Sequence, residues 1–392
     1  METVDASHMR AMNCSILLKL IWKHHRISRA DISRMTRMSR STVSAIVAEL
    51  MDRGLVKELG NGPSNGGRRP MMLAFQEDAY TILGLQVSAH SIAAATINLN
   101  GVVRSWKIQA CDVLGAPAEA FELVQKMIAD SAATSFRENM PLIGMALAHP
   151  SLVDRKEAIN FASWESALRS VLPIPVHFDS DANFGALAEL WWNQSEQPRH
   201  LGFFQLDETL SFGLMMRSQD QQYSFGVSSS LGHLLLAAPK GVQTLHQQMS
   251  RASCKKNSKF STLSEIFEAA QCGDVDAEQW LEQAASPLAL TLYNTQALLQ
   301  LDRIVIGGLW RQETGRLIAA IESLEAVHGQ ASAMPLTNWL VPSFRGDQQI
   351  ALGAGTRVLE RVLEDLSLFP ARCYVETIPC SGSTGEISLS ME

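Results

Sequence analysis

The residues with the clearest capacity for chemistry are two adjacent arginines, Arg68 and Arg69, in the segment NGGRRPMML at 65–73. Guanidinium groups are planar and permanently charged, which suits them to phosphate or to a narrow minor groove of DNA. The glycines that precede them, Gly66 and Gly67, carry no side chain and therefore let a hairpin approach a DNA backbone closely. The segment predicts a DNA-binding wing, and the alternative is a basic linker between domains.

The residues before this segment predict a helix-turn-helix. Apolar side chains at helical spacing predict a first helix with a buried face formed by Ile16, Leu17, Leu20 and Ile21. Ser28 is a predicted N-cap, with Asp31 three residues later as its capping-box partner, for a second helix that ends near Thr36. A tight turn then leads to a third helix, which is capped by Ser39 or Ser41.

The third helix has the features of a recognition helix. Its buried stripe is predicted to consist of Val43, Ile46, Val47 and Leu50. Gly54 ends the helix, and a strand at 55–59 begins a hairpin whose tip is at 60–67. Recognition helices present their N-terminal end to the major groove, so the predicted DNA contacts are Arg40, Ser41, Thr42 and Ser44. Three helices alone are a common core motif, but with the hairpin they predict a winged helix-turn-helix domain over 1–78.

The charge distribution agrees with this prediction. Residues 1–75 carry twelve lysines and arginines against six aspartates and glutamates, although the whole chain has a net charge of −7. Phosphate neutralisation dominates affinity for nucleic acid, so a basic head on an acidic body indicates that the head binds DNA. The alternative is a basic, solvated face that has no partner.

Length and composition limit the remaining possibilities. With 392 residues, of which 46% are hydrophobic, the chain can form two or three cores. It contains no apolar run of eighteen residues and no signal-peptide pattern, so neither a transmembrane helix nor a membrane partner is expected. The six cysteines form no C-x-x-C pair, which predicts a reducing, cytoplasmic environment and neither a disulfide framework nor a zinc site.

Beyond residue 78 the pattern alternates between strands and helices. Apolar, β-rich runs at 79–87 and 91–98 are followed by an Asn-Gly turn and a third strand at 102–108. The predicted order βββαβαβα through residue 192 resembles the actin-like, ribonuclease-H-like half-domain of sugar kinases. A second α/β region covers roughly 200–345 and a final helix follows at 347–368. A flexible tail is predicted at 376–392, where the composition is of low complexity.

Several motifs, in order, resemble the ROK family of repressors and sugar kinases, and its repressor branch in particular. The head matches at 28–56 and at GGRRP, and the body motifs are PSLVD at 150–154, Asn160-Phe161 through Trp164, DSDANFGALAEL at 179–190, SSSLGH at 228–233, IVIGG at 304–308 and ALGAG at 351–355. The resemblance implies a two-lobed actin-like body, with lobe 1 at 79–199 and lobe 2 at 200–375, the closing helix returning to lobe 1.

The two phosphate loops that the kinases of this family carry are altered in this chain. The acid and glycines of their first loop correspond to Gln86, Ser88 and Ala89. Their second, glycine-rich loop corresponds to residues 206–213, in which Asp207, Glu208 and Phe212 stand. Two carboxylates there would repel polyphosphate, so no ATP binding, no enzymatic activity and no cofactor are expected.

The family's zinc cluster is also missing from the sequence, because the residues after Gly232-His233 contain no cysteine before Cys254. His233 and His246 alone cannot form a tetrahedral zinc site, and we interpret His246 as a structural residue.

The resemblance implies that Asn160, Asp181 and His233 are retained from a sugar-binding pocket, while Ser180 and Ser230 replace an Asn and a Glu. Without a phosphoryl donor, Asp181 would only accept hydrogen bonds. It is also a candidate N-cap for the helix at 182–192, and the two roles are compatible. Affinity for a monosaccharide is therefore expected to be weak, retuned to another ligand, or absent.

These observations favour a sequence-specific DNA-binding regulator, a repressor of carbohydrate-related genes with an inactive body. The expected partners are an operator duplex, a sugar-like effector and a second copy of the chain, in a homodimer or a dimer of dimers. The alternatives are a sugar kinase with a DNA-binding head, and a regulator that is controlled by a partner protein. Gln86 and the altered glycine loops argue against the kinase.

Overall fold

The computed structural model describes residues 6–61, 69–150, 159–193, 198–217, 223–238, 241–249, 260, 262–328 and 339–369. Within them the chain forms a small N-terminal head, residues 6–75, and a larger α/β body that follows it. The predicted tail and the Cys254, Cys373 and Cys380 positions lie outside the described residues.

The head consists of three helices and a three-stranded sheet. Its elements are α1 (Ala6–His24), β1 (Arg26–Ser28), α2 (Arg29–Thr36), α3 (Arg40–Asp52), β2 (Val56–Asn61) and β3 (Met71–Phe75), with the strands in the order β1-β3-β2. Ser28 caps α2 by accepting a hydrogen bond from the Asp31 N–H at 3.1 Å. The Gly54 N–H ends α3 by donating to the Met51 carbonyl, with a positive φ of 73° at Gly54. The predicted helix ends are therefore confirmed.

The core of the head confirms one predicted face and corrects another. The predicted stripe of α3, formed by Val43, Ile46, Val47 and Leu50, is buried. In α1, by contrast, Ile16 is 43% exposed, and the buried face contains Cys14, Leu17, Leu18 and Ile21. The predicted buried face of α1 was therefore wrong by a rotation about the helix axis. The 11 apolar residues of α1 lie on most sides of the helix, so their spacing alone does not determine which side meets α3 and the body.

The first half of the body is a five-stranded sheet in the order β6-β5-β4-β7-β8. Its elements are β4 (Thr81–Val87), β5 (Ser91–Asn98), β6 (Val103–Ala110), α4 (Pro117–Arg137), β7 (Leu142–His149), α5 (Phe161–Val171), β8 (Val176–Ser180) and α6 (Asp181–Trp192). The first three strands are antiparallel and the last two are parallel to β4. This is the predicted order βββαβαβα.

The second half contains another five-stranded sheet, in the order β11-β10-β9-β14-β15. Its strands are β9 (His200–Leu206), β10 (Leu210–Arg217), β11 (Tyr223–Ser230), β14 (Arg303–Gly307) and β15 (Leu340–Pro342), and a hairpin is formed by β12 (Leu235–Ala238) and β13 (Gly241–Thr244). The helices are α7 (Leu245–Met249), α8 (Leu263–Gln271), α9 (Val275–Leu299), α10 (Thr314–His328) and α11 (Gln349–Glu364).

Helices α6 and α11 pack against each other between the two sheets. A Cβ on Gly353 of α11 would collide with the backbone of Phe184 in α6, so glycine is required for this close approach. The Gln349 side-chain amide donates to the Gly185 carbonyl at 3.0 Å and to the Glu189 carboxylate at 3.1 Å. Since the final helix also packs on β4 and β7, it returns to the first sheet as expected.

The head packs directly on the body, and the two share one hydrophobic core. The Ser15 hydroxyl of α1 donates to the Leu363 carbonyl of α11 at 3.0 Å. The Trp22 indole N–H donates to the Leu99 carbonyl at 2.8 Å, and its ring lies 5.7 Å from that of Trp191 at the end of α6. The head is therefore docked against the C-terminal ends of both α6 and α11.

Candidate functional site

The N-terminal end of α3 is an exposed surface of small polar and basic side chains. Ser39 is its N-cap and accepts a hydrogen bond from the Thr42 N–H at 3.1 Å. The hydroxyl oxygens of Ser41 and Thr42 lie 2.8 Å from the Ser39 hydroxyl oxygen, so both take part in this cap. Thr42 is half-buried, whereas Arg40 and Ser44 are exposed and have no hydrogen-bond partner in the described part of the chain. Arg40 and Ser44 are thus the most available for an external partner.

The wing hairpin lies beside this helix in sequence and is formed by β2 and β3. A bulge between Glu58 and Gly60, where Gly60 has a φ of 98°, adds local twist to the hairpin. Arg69 is exposed just before β3 begins. Arg68 and the predicted tip fall among residues 62–68, outside the described residues.

A second site lies where the two body sheets meet, and Asp181, Asp207, Ser211 and Ser230 define it; we call it the inter-lobe site. Asp181 is the first residue of α6 and is buried. Its carboxylate accepts hydrogen bonds from the Ala182 N–H, at 2.7 Å, and from the Ser211 hydroxyl of β10. The expectation that Asp181 caps α6 is wrong, because Ser180 is the N-cap and accepts from the Asn183 N–H at 3.2 Å.

Burial controls the electrostatics of the inter-lobe site. Desolvation and, to a smaller extent, the nearby Asp207 carboxylate raise the pKa of Asp181 to about 7, while the hydrogen bonds from Ser211 and from the Ala182 N–H oppose the shift. Desolvation also raises the pKa of Asp207 to about 6, with Asp347 and Glu208 acting in the same direction. The inter-lobe site thus contains two buried carboxyl groups, those of Asp181 and Asp207, whose pKa values burial raises.

Asp207 and Glu208 bind backbone N–H groups at the beginnings of helical segments. The Asp207 carboxylate accepts from the Leu309 N–H at 2.7 Å, directly after Gly308, whose φ is 73°. The Glu208 carboxylate accepts from the Leu263 N–H at 3.0 Å, at the start of α8. Helix N-termini are ready-made anion sites, so these two positions are already occupied by the chain's own anions.

The other residues that were predicted to lie in the two phosphate loops are found in two places: in or next to the turn between β4 and β5, and in the core of the second sheet. The Gln86 side-chain amide donates to the Ser88 hydroxyl at 3.3 Å, in the turn that connects β4 and β5. Ala89 is buried in this turn. Phe212 was expected in the second loop, but its ring is buried in the core of the second sheet, 4.8 Å from that of Phe204. That expectation is wrong, because β10 already begins at Leu210 and the alternation of a strand turns Phe212 inward.

Asn160 and His233 lie on two other elements around the inter-lobe site. Asn160 is exposed and caps α5 by accepting from the Ser163 N–H at 3.2 Å. The next residue, Phe161, stacks on His149 at the end of β7, and His149 is paired with Ser180. His233 is exposed in a short 3₁₀ turn, Leu231–His233, that follows Ser230, and Ser230 is paired with Ser211. Through these contacts both residues are close in the fold to the start of α6.

Two polar residues at this site, Ser211 and Asn183, were not singled out from the sequence, and Ser230 was named there only as the replacement of a glutamate. Ser211 donates to Asp181, and the buried side-chain oxygens of Asn183 and Ser230 have no hydrogen-bond partner among the described residues. Buried polar atoms are seldom left without partners, so these two oxygens indicate a place for a hydrogen-bonding ligand. Asn183 belongs to the DSDAN motif and could have been included. Ser211 could not have been included, because its pairing with Ser230 depends on the register of the folded sheet.

Metal ligation finds no structural support in the described ranges, which contain no group of three or more His, Cys, Asp or Glu side chains that could hold an ion. His246 is half-buried in the short helix α7. Within the same ranges no helix has both the length and the apolar character needed to cross a membrane.

Models of known protein families match both the head and the body. The model of the ROK family matches residues 82–360, and a model of winged helix-turn-helix DNA-binding domains matches residues 16–57. The xylose repressor of Bacillus subtilis (strain 168) is 24% identical over 392 residues, which cover 94% of this chain and 100% of that protein. The DNA-binding transcriptional dual regulator NagC of Escherichia coli (strain K12) is 22% identical over 393 residues, covering 92% and 95%.

Solved structures are similar in fold. A ROK family transcriptional regulator, described as a homologue of the E. coli MLC protein, superposes with a TM-score of 0.67 at 19% identity, covering 92% of this chain and 98% of that one. The ROK hexokinase from Thermus thermophilus superposes with a TM-score of 0.52 at 22% identity, covering 72% and 99%. The chain therefore has a winged helix-turn-helix followed by the α/β fold that it shares with a sugar kinase.

Proposed function

The chain belongs to the ROK family, and from this premise we propose that it is a sequence-specific DNA-binding repressor of carbohydrate-related genes that lacks kinase activity. The observation that carries the proposal is the combination of two features in one chain. The head leaves Arg40 and Ser44 exposed at the start of a recognition helix, and the body binds its own carboxylates where a kinase would need to bind phosphate.

For DNA binding we propose that Arg40, Ser41, Thr42 and Ser44 contact the major groove and that Arg68 and Arg69 contact the backbone or the minor groove. One recognition helix reads only a few base pairs, so two heads are needed for useful discrimination. We therefore propose a homodimer or a dimer of dimers, held together through the body, that recognises a pseudo-palindromic operator.

For effector binding we propose a polyhydroxylated ligand at the inter-lobe site, with Asn160, Asp181 and His233 as hydrogen-bonding groups. The buried Asn183 and Ser230 oxygens support this placement, since a hydroxyl donor would satisfy them. The relatives named above include a xylose repressor, which favours a pentose or a hexose derivative over other small molecules.

The same helix that begins at Asp181 supports a route from effector to DNA. Helix α6 has twelve residues and so spans roughly 18 Å at 1.5 Å per residue. Its other end contacts the head through Trp191 and Trp22, and α11, packed along it, contacts the head through Leu363. A ligand that prefers one position of α6 would thereby shift the position of the head, whereas a ligand with no such preference would not.

Catalysis is not expected, and this part of the proposal rests on chemistry. Gln86 stands where the kinases have a carboxylate, and an amide can neither carry negative charge to a metal ion nor act as a base. The acidic side chains of Asp207 and Glu208 would repel polyphosphate, and their carboxylates hold the N–H groups of Leu309 and Leu263.

The proposal is tested by selecting genomic DNA fragments with the purified full chain. The recovered fragments should share a two-fold symmetric sequence and lie beside genes for carbohydrate uptake or breakdown. Xylose, N-acetylglucosamine and other sugars are then added to the complex, and at least one should release the DNA. Recovery of random fragments, or sugar-dependent ATP turnover by clean protein, would contradict the proposal.

A further inference from the structure

A cavity with a volume of about 900 Å³ lies between the head and the body, and none of its lining residues belongs to the inter-lobe site. Its lining comes from the head strands, from the connecting residues 76–80, and from the loop after α4, which contributes Asn139 and Pro141. Small-molecule sites commonly have volumes of about 300–1,000 Å³ and often lie between domains. This cavity therefore has the size and place of a ligand site.

The head side of the cavity carries two cations on one face of the sheet. Arg26 of β1 and Lys57 of β2 are both paired with Ala74 of β3. Residues directly opposite one another share a face, and neighbouring strands are about 4.8 Å apart, so the two side chains start roughly 10 Å apart across one methyl group. Both are long enough to converge on a small anion that lies over Ala74.

These two cations are not neutralised by the described part of the protein. The Arg26 and Lys57 side chains are exposed and take part in no hydrogen bond or ion pair with the described residues. Two carboxylates also line the cavity, and that of Asp78 forms an ion pair with Arg104 of β6 and accepts from the Asn98 amide at 2.8 Å. The other, Glu77, helps to raise the pKa of the same Arg104. The positive charge of Arg26 and Lys57 is thus open to an external anion.

The other walls of the cavity are suited to the organic part of a ligand. Leu59, Phe75, Tyr80 and Pro141 contribute apolar or aromatic surface, and Gln76 and Asn139 contribute amide groups. Arg53 also lines the cavity, but it is held by Glu49 and by the Phe369 carbonyl. Tyr80 is held by its hydrogen bond to the Arg53 carbonyl at 2.7 Å.

We propose that this cavity binds a small phosphate ester, with the phosphate between Arg26 and Lys57 and the organic group against Leu59 and Pro141. A dianion suits two converging cations, and a guanidinium matches phosphate in a bidentate manner. A duplex is too large for a cavity of this volume, and Lys57 lies at the base of the wing hairpin, near its first residue rather than its tip. This site goes beyond the effector site proposed above.

The proposal is tested by calorimetry on the full chain with glucose 6-phosphate, glucose and inorganic phosphate as probes. The ester should bind more tightly than inorganic phosphate, since it also contacts the apolar walls. The Arg26→Ala/Lys57→Ala variant should weaken binding of the ester about hundredfold or more, because it removes two charge-assisted hydrogen-bond donors to the phosphate, each of which contributes about tenfold or more. The matched control Lys23→Ala/Lys126→Ala removes two exposed cations outside the cavity and should leave binding unchanged.

Further variants separate this site from the others. In the Asp181→Ala background, which removes the carboxylate of the inter-lobe site, the Arg26→Ala/Lys57→Ala change should still weaken binding of glucose 6-phosphate, and equal binding there with and without the two cations would overturn the proposal. A reduced salt dependence of DNA binding in Arg26→Ala/Lys57→Ala would assign the two cations to DNA and overturn it as well. Absence of heat with the ester, or equal binding by both double variants, would do the same. Both cations are exposed, so circular dichroism should show that the variant is folded.

Discussion

At the start of α3 the polar and cationic side chains face solvent, where an external anion could bind them. At the inter-lobe site the backbone N–H groups that could bind an anion are already bound by carboxylates of the chain itself. The Arg40 and Ser44 side chains have no hydrogen-bond partner among the described residues, whereas the Leu309 and Leu263 N–H groups already donate to Asp207 and Glu208 and so are not open to an external anion. Both regions have the chemistry of phosphate binding, since helix N-termini and cations favour anions. The difference is whether the protein supplies the anion itself.

This comparison explains how one family fold is suited to regulation. In the body, the Asp207 and Glu208 carboxylates hold the N–H groups of Leu309 and Leu263, and Asp181 of α6 accepts from Ser211 of β10. A head whose donors are open keeps its affinity for the phosphates of DNA. The difference between the two regions can be tested by removing cationic side chains from the head, or by replacing the internal carboxylates of the body.

The largest effect is expected for Arg68→Ala/Arg69→Ala. Removing two phosphate contacts should weaken binding of an operator-sized duplex roughly hundredfold and reduce the salt slope of binding by up to about two. Binding is measured by fluorescence anisotropy from 50 to 300 mM salt. Lys23→Ala/Lys126→Ala is the charge-matched control. An unchanged slope in the wing variant would show that Arg68 and Arg69 do not contact phosphate.

The next largest effect concerns Asp181→Ala. Loss of a buried carboxylate acceptor should weaken effector binding by roughly tenfold to hundredfold and so abolish ligand-dependent release from DNA. DNA affinity without ligand should stay the same, because Asp181 lies in the body. The measurement compares DNA affinity with and without the sugar found in the release screen. A variant that responds normally to that sugar would remove Asp181 from the effector site.

A third prediction concerns pH and Asp181→Asn. A carboxyl whose pKa is higher in the folded state takes up protons on folding, so the free energy of unfolding falls as pH rises from about 4 to about 7 and then levels off. The amide removes the contribution of Asp181 to this dependence, and because the shift of about three pKa units corresponds to about 4 kcal/mol, the variant should be more stable than the parent by up to about 4 kcal/mol at pH 8, with little difference at pH 4.

Urea unfolding at several pH values checks this prediction. Asp130→Asn, an exposed position on α4, is the matched control and should follow the parent chain at every pH. A constant stability difference between Asp181→Asn and the parent would show that Asp181 keeps its ordinary titration in the folded state.

A smaller effect is expected for Trp22→Phe, which tests the contact between head and body. The variant loses the hydrogen bond to the Leu99 carbonyl and part of the contact with Trp191, at a cost of about 1 kcal/mol in unfolding free energy. The sugar-induced change in DNA affinity should decrease, while DNA affinity without sugar is retained. Trp106→Phe, on β6, is the control. A full response in Trp22→Phe would place the coupling elsewhere.

No effect at all is expected when ATP is added. A coupled assay with hexoses, N-acetylhexosamines and pentoses should give no turnover, and Asp207→Gly/Glu208→Gly should not create it. That double variant opens the Leu309 and Leu263 N–H groups to external phosphate, but Gln86 still cannot provide a carboxylate. ATP turnover by the parent chain or by the double variant would contradict the view that the body does not bind external phosphate for catalysis.

The sequence alone determined the features that depend on neighbours a few residues apart. The cap at Ser28, the end of α3 at Gly54 and the hairpin turn at Gly101 are set by contacts within about four residues, whereas the sequence left Ser39 and Ser41 open as the cap of α3 and the structure shows Ser39. The order of strands and helices in the first half of the body follows in the same way from periodicity and turn residues. The family motifs added the fold, because they occur in order along the chain.

Contacts between residues that are far apart in the sequence are apparent only in the tertiary structure. Asp207 reaches the N–H of Leu309, which is 102 residues further along the chain, and the strand alternation of β10 turns Phe212 into the core. The exposed side of Ile16 depends on how α1 meets α3 and α11, and Ser180 rather than Asp181 caps α6 because β8 delivers it in an extended conformation. Such contacts depend on sheet register and helix packing, which arise between segments far apart in sequence and leave no local pattern.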